Sequence, residues 1–219
     1  VISAGLVEGN IIYENGLGGG SGINMDGVTD TIIRNNLLYN NHASGISLYQ
    51  IDGGSGSRNN LVLNNTIVMP ADGRWAINIP DVDDTNNQLY NNILYNSHEW
   101  RGSIAIAMPA LDGFTSDYNV VVDRFSTDVG DTLLTFSEWQ ALGYDTHSFI
   151  AAPDLLFVDA VAGDYHLKPG SPAIDRGLEL SDVTGDLEGR PRPLGTAYDI
   201  GAYEFQGSVH HFYLPLLIK

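Results

Sequence analysis

The chain contains no cysteine, and of its ten basic residues only Lys168 and Lys219 are lysines. Disulfides, thiol nucleophiles and thiolate metal sites are therefore excluded. The ten basic residues face 27 acidic ones, giving a formal charge of −17. A surface so charged repels nucleic acid and anionic lipid, so neither is expected as a partner. It would also repel a polyanionic glycan unless Ca²⁺ intervened. No run approaches the ~18 apolar residues that cross a bilayer, so no transmembrane segment is expected. The opening Val1–Gly5 lacks the basic and apolar regions of a signal peptide. Sustained 3.6-residue periodicity is missing as well, which argues against a helical solenoid.

What the chain does contain is a repeated phrase. Gly9-Asn10-Ile11-Ile12-Tyr13 returns as Asn35-Asn36-Leu37-Leu38-Tyr39, Asn64-Asn65-Thr66-Ile67-Val68 and Asn91-Asn92-Ile93-Leu94-Tyr95. A worn copy follows at Tyr118-Asn119-Val120-Val121. A spacing of about 27 residues marks a solenoid, in which each repeat buries its apolar face against its neighbours. Each copy is followed by a short alternating segment, as in Gly45-Ile46-Ser47-Leu48 and Ala76-Ile77-Asn78-Ile79. Most are also preceded by one, as in Leu61-Val62-Leu63. Three short period-2 strands per repeat predict an all-β chain, a right-handed parallel β-helix over residues 1–132.

The repeated asparagines Asn10, Asn36, Asn65, Asn92 and Asn119 are expected to be structural. Asn tolerates the left-handed backbone of a tight corner, and stacked amides can form a hydrogen-bonded ladder. Loops of a solenoid are where binding usually resides. The acidic Asp81, Asp83, Asp84 and Asp112 there supply hard oxygen ligands suited to Ca²⁺, the one cofactor the residues suggest. Arg34, Arg58, Arg74 and Arg101 are candidate bases for a lyase, and Trp75 or Trp100 could face a glycan. No pair of histidines has metal-ligand spacing. Asn64-Asn65-Thr66 fits a glycosylation sequon.

Past residue 132 the repeat breaks. Phe136, Trp139 and Leu142 share the face of a short helix, with Ser137 as its expected N-cap and Gly143 as its stop. Asp154–Asp159 reads as a strand. The motifs Gly-Asp-Tyr-His-Leu (163–167), Gly-Ser-Pro-Ala-Ile-Asp (170–175), Asp-Leu-Glu-Gly-Arg-Pro-Arg-Pro (186–193) and Asp-Ile-Gly-Ala-Tyr-Glu (199–204) follow in order.

These motifs resemble the bacterial surface proteins called choice-of-anchor Q domain proteins, over residues 133–205. The upstream repeats resemble the broader pectate-lyase-like β-helices. The resemblance implies a bacterial protein, secreted or on the cell surface, whose 133–206 region caps and continues the helix. It brings no catalytic residues. Residues 207–219 form an apolar tail in which Phe212, Tyr213, Leu214, Leu216 and Ile218 could pair with the chain's own helix or with a neighbouring subunit, or serve as a sorting signal.

Two function classes stay open. One is a structural or adhesive β-helix that self-associates head to tail, since residue 1 enters the repeat at once and leaves strand edges to template pairing. The other is a polysaccharide lyase or hydrolase, or a glycan-binding module without turnover.

Overall fold

The computed structural model describes residues 2–207, and the expected assembly tail lies outside them. The chain is a parallel β-helix built of three parallel sheets. Sheet 1 stacks Leu6–Glu8, Ile32–Arg34, Leu61–Leu63, Gln88–Tyr90 and Thr115–Asp117. Sheet 2 stacks Ile11–Tyr13, Leu37–Tyr39, Thr66–Met69, Ile93–Asn96, Val120–Val121 and Phe149–Ile150. Sheet 3 stacks Ile23–Asp26, Ile46–Tyr49, Ile77–Ile79, Ile104–Ile106 and Phe125–Ser126. Pairing is in register, so Ile23, Ile46, Ile77, Ile104 and Phe125 form one inward column. With Ile33, Val62 and Leu89 from sheet 1 and Leu38, Ile67 and Leu94 from sheet 2, they fill the interior.

The corner between sheets 1 and 2 is always two residues, and they divide the work. The first of each pair, Gly9, Asn35, Asn64, Asn91 or Tyr118, has φ between 50° and 71°. The second, Asn10, Asn36, Asn65, Asn92 or Asn119, carries the ladder. Here the structure corrects the sequence reading, which gave both tasks to one asparagine. A left-handed residue aims its own side chain outward, so the inward amide has to come from the next position. Asn10 Nδ2 donates to Asn36 Oδ1 (2.9 Å), Asn36 to Asn65 (2.9 Å), Asn65 to Asn92 (3.0 Å) and Asn92 to Asn119 (3.1 Å). Each Oδ1 also accepts the backbone N–H of the preceding rung, as from Asn36 N to Asn65 Oδ1 (3.0 Å). Corner amides that no strand could pair are thereby satisfied inside the core.

A second ladder, not read from the sequence, occupies the corner between sheets 3 and 1. There Gly5 N meets Thr31 Oγ1 (3.0 Å), Thr31 N meets Asn60 Oδ1 (3.1 Å), and Asn60 Nδ2 meets Asn87 Oδ1 (3.1 Å). The residues before them, Ala4, Asp30, Asn59 and Asn86, are again left-handed.

The main ladder ends on a buried carboxylate. Asn119 Nδ2 donates to Asp145 Oδ1 (2.9 Å), and Ser116, Ser148 and Trp139 Nε1 also donate to Asp145 at 2.6–2.7 Å. Burial pushes the Asp145 carboxyl up, and these four donors oppose it. Trp139 arrives on the helix Phe136–Ala141, whose side chain at this position is fully buried. The N-cap is Thr135 rather than Ser137, because only Thr135 stands three residues before Glu138 and closes a capping box with it.

After Ile150 the chain turns back along the outside of the stack instead of adding coils. Pro153–Leu156 is a single helical turn, not the strand expected there, since proline at its start presets the helical φ. Phe157–Asp159 then pairs antiparallel with Asp164–Leu167. Outward residues of sheet 2, among them Leu37, Val68, Ile93 and Val120, pack under Phe157, Tyr165, Ile200 and Tyr203. Leu63 of sheet 1 packs under Val183 and Tyr198.

Asn65→Ala removes a buried rung, leaving Asn36 N–H without its acceptor and the Ile33 carbonyl without its side-chain donor. Urea denaturation is expected to show a loss of about 2–4 kcal/mol, against under about 1 kcal/mol for the exposed Asn10→Ala. Equal losses at the two positions would contradict a ladder whose value comes from burial.

Candidate functional site

The returning segment covers much of sheets 1 and 2, and sheet 3 is left as the face where a ligand can approach. The corners on either side of sheet 3 are the ones that vary in length, as between Tyr49 and Leu61 or between Tyr13 and Ile23. Variable loops therefore frame this sheet, the usual place for function on a rigid scaffold.

The outward row of sheet 3 runs Asn24, Ser47, Asn78, Ala105 and Ser126, one residue per coil. The loop after Ser126 folds over the last rungs, with Ala107 bridging to Asp128 and Ser126 Oγ donating to Asp128 Oδ1 (2.7 Å). Asn24, Ser47 and Asn78 instead floor a trough of about 270 Å³, rimmed by Ser21, Tyr49 and Arg74. Ser21 Oγ and Ser47 Oγ are hydrogen-bonded at 2.6 Å, which fixes both hydroxyls. Arg74 is the one ionic group in this lining. Among the described residues the arginine ion pairs involve Arg34, Arg190 and Arg192, and none involves Arg74. The trough thus offers amides, hydroxyls, a phenol and a free guanidinium, suited to a polar, hydroxyl-rich ligand.

The candidate Ca²⁺ residues are placed otherwise. Asp81 Oδ2 accepts from Gln50 N (2.8 Å), and Asp84 accepts from Ser57 N (2.7 Å) and Asp81 N (3.1 Å). These carboxylates tie the loops of neighbouring coils together, as Asp26 does with the N–H groups of Ile51, Asp52 and Gly53. Asp83 is exposed, and a Cβ on Gly56 would collide with its carbonyl. Asp112 is also exposed, on the next coil, where its carbonyl accepts from Asn86 N (2.9 Å). Among the described residues no three Asp, Glu or His side chains are grouped so as to hold a metal. Of the candidate bases, Arg34 pairs with Glu8 at 2.7 Å and Arg101 bonds the Gly73 carbonyl. Trp75 is buried, whereas Trp100 is 49 % exposed. The sequon is closed, since Asn64 is fully buried and its amide donates to the carbonyls of Asp199 and Gly201.

The C-terminal motifs form a clamp. Arg192 and Glu204 make an ion pair at 2.7 Å with both side chains fully buried. Arg192 also donates to the carbonyls of Asp199 (3.0 Å) and Gly201 (2.7 Å). Asp186 accepts from Glu188, Arg190 and Glu204 N–H groups. This unit is hooked to the stack by the outward corner asparagines. Asn35 donates to Gly185, Asn64 to Asp199 and Asn91 to Leu178, at 2.7–3.0 Å.

No protein-family model matches the chain, and no curated protein matches it either. The likeness to choice-of-anchor Q proteins is one of motifs alone, and the residues of those motifs form the clamp.

Two outcomes are expected. Arg192→Met strands Glu204 in the interior and should cost about 3–5 kcal/mol in denaturant unfolding; a near-neutral effect would mean the pair is solvated. Burial, opposed by the Ser57 and Asp81 N–H groups, raises the Asp84 carboxyl from 3.8 to about 7. A carboxyl raised by folding holds its proton more tightly in the folded chain. Its stabilising contribution is thus complete below about pH 4 and is lost as pH rises to about 7. Asp84→Asn should remove that slope, so the stability of the variant relative to the parent rises between pH 4 and 7 and is flat above. Parallel pH profiles would refute the assignment.

Proposed function

We propose that the chain is a non-catalytic, adhesive β-helix domain of an extracellular or cell-surface bacterial protein, and that it binds a glycan along sheet 3. The observation that carries this reading is the polar trough floored by Asn24, Ser47 and Asn78 with Arg74 at its rim. A row of amides and hydroxyls, repeated at the ~4.8 Å spacing of a parallel sheet, offers donors and acceptors in series to the hydroxyls along a sugar chain. Two of the acidic candidates, Asp81 and Asp84, are occupied as acceptors for backbone N–H groups, which favours binding over turnover. The acidic surface favours an uncharged ligand.

The test is calorimetric titration of the protein with a panel of neutral and acidic oligosaccharides, alongside an assay for reducing ends and unsaturated products. Binding without turnover is expected, weakened at least tenfold by Asn78→Leu at unchanged melting temperature. Binding to no glycan, or turnover of any, would overturn the proposal.

A further inference from the structure

Trp100 lies on the coil that follows Arg74, outside the residues that line the trough. Arg101, its neighbour, lies one coil beyond Arg74, and its guanidinium donates to the Gly73 carbonyl (3.3 Å). The coils are stitched at this edge by Arg74 N to Ala43 O and by Ala76 N to Gly102 O. Continuing that pairing places the Trp100 backbone one coil beyond the Gly73–Arg74 segment.

The indole is exposed yet held. Its Nε1–H donates to the Gly130 carbonyl (3.0 Å). Its backbone N–H and that of Arg101 both donate to His98 Nδ1, at 2.9 and 3.0 Å. His98 itself is fixed by its N–H to Asn96 Oδ1 (2.9 Å). Burial, with the charges of Arg101 and Arg124, holds the His98 imidazole below its usual pKa, keeping that nitrogen free to accept. An aromatic ring immobilised on a surface gives up little conformational entropy when a ligand settles on it.

We infer that Trp100 is a stacking platform for a pyranose ring, with Arg74 holding the hydroxyls of the same chain, and that the ligand is a neutral glycan of equatorially substituted sugars. The inference rests on the glycan-binding reading of sheet 3 and adds the residue and the sugar class. A pyranose whose hydroxyls are all equatorial presents a face of axial C–H groups, which covers an indole without stranding polar atoms. Galacto-configured sugars put an axial hydroxyl on one of those faces. A polyuronate would in addition approach a protein of charge −17.

Of the three tryptophans, Trp139 and Trp75 are buried, at 0 % and 5 % exposure, so Trp100 alone can report a surface ligand by fluorescence. Cellohexaose and the N-acetylglucosamine hexamer are titrated against the full protein by fluorescence and calorimetry, with the galacturonate hexamer for comparison. Expected are a shift in tryptophan emission with the neutral oligomers, absent in Trp100→Ala, and an affinity at least tenfold lower in that variant and for galacturonate. Trp100→Phe should recover part of the affinity. Neutral oligomers bound equally well by Trp100→Ala, or galacturonate bound more tightly, would overturn the platform while leaving the glycan-binding face in place. Failure of every glycan to bind the parent protein by calorimetry would overturn both.

Discussion

Everything in this fold depends on how two adjacent residues at a corner share one constraint. A coil must turn within two residues between sheets 1 and 2, and that turn leaves backbone N–H groups facing the core with no strand to accept them. The left-handed first residue makes the turn, and the inward asparagine supplies the acceptor. At Asn35-Asn36, Asn64-Asn65 and Asn91-Asn92 the same amino acid does both jobs in succession. Hydrocarbon fills the rest of the interior, but it fixes neither the register nor the corner.

The outward member of each pair has a second use. Its amide is free to capture the chain as it returns, so the corner that stacks the coils also anchors the segment that covers them. Asn91 is held from both ends, donating to the Leu178 carbonyl and accepting from Leu178 N (2.8 Å). Gly201 N meets the Asn91 carbonyl, and Ala202 N meets Thr66 Oγ1. A plain solenoid gains stability only from neighbouring repeats. Here the returning segment contacts coils far apart in sequence, which couples them into one cooperative unit.

Much of this was legible in the sequence because the pattern is periodic. Strand order, the three-sheet cross-section and the inward columns follow from alternation and a constant step. The ladder asparagines were visible for the same reason. Their left-handed neighbours were not, since Asn-Asn gives no clue which member turns, and Tyr118 is a residue seldom placed in that conformation. The second ladder was hidden because Thr31, Asn60 and Asn87 are chemically uneven. The acidic loops looked like ligands for a cation because carboxylates that cap backbone N–H groups and carboxylates that bind metal have the same sequence appearance. The trough on sheet 3 is formed by residues from three coils, Asn24, Ser47 and Asn78, and no local spacing announces it. Trp75 and Trp100 both meet Gly130, yet one is buried and the other half exposed, a difference their sequence contexts do not announce.

The ladder also has a direction. Every rung donates toward the next coil and accepts from the previous one, so the amide dipoles point the same way and add along the stack. The electropositive end of that column falls at Asn119, and the group placed there is the carboxylate of Asp145. A coil inserted between two existing rungs would continue the same polarity and need no new terminus, whereas a coil added beyond Asn119 would separate the column from the acceptor oxygens of Asp145. Internal duplication is therefore the inexpensive route by which such a stack can lengthen, with the Asp145 terminus carried along unchanged.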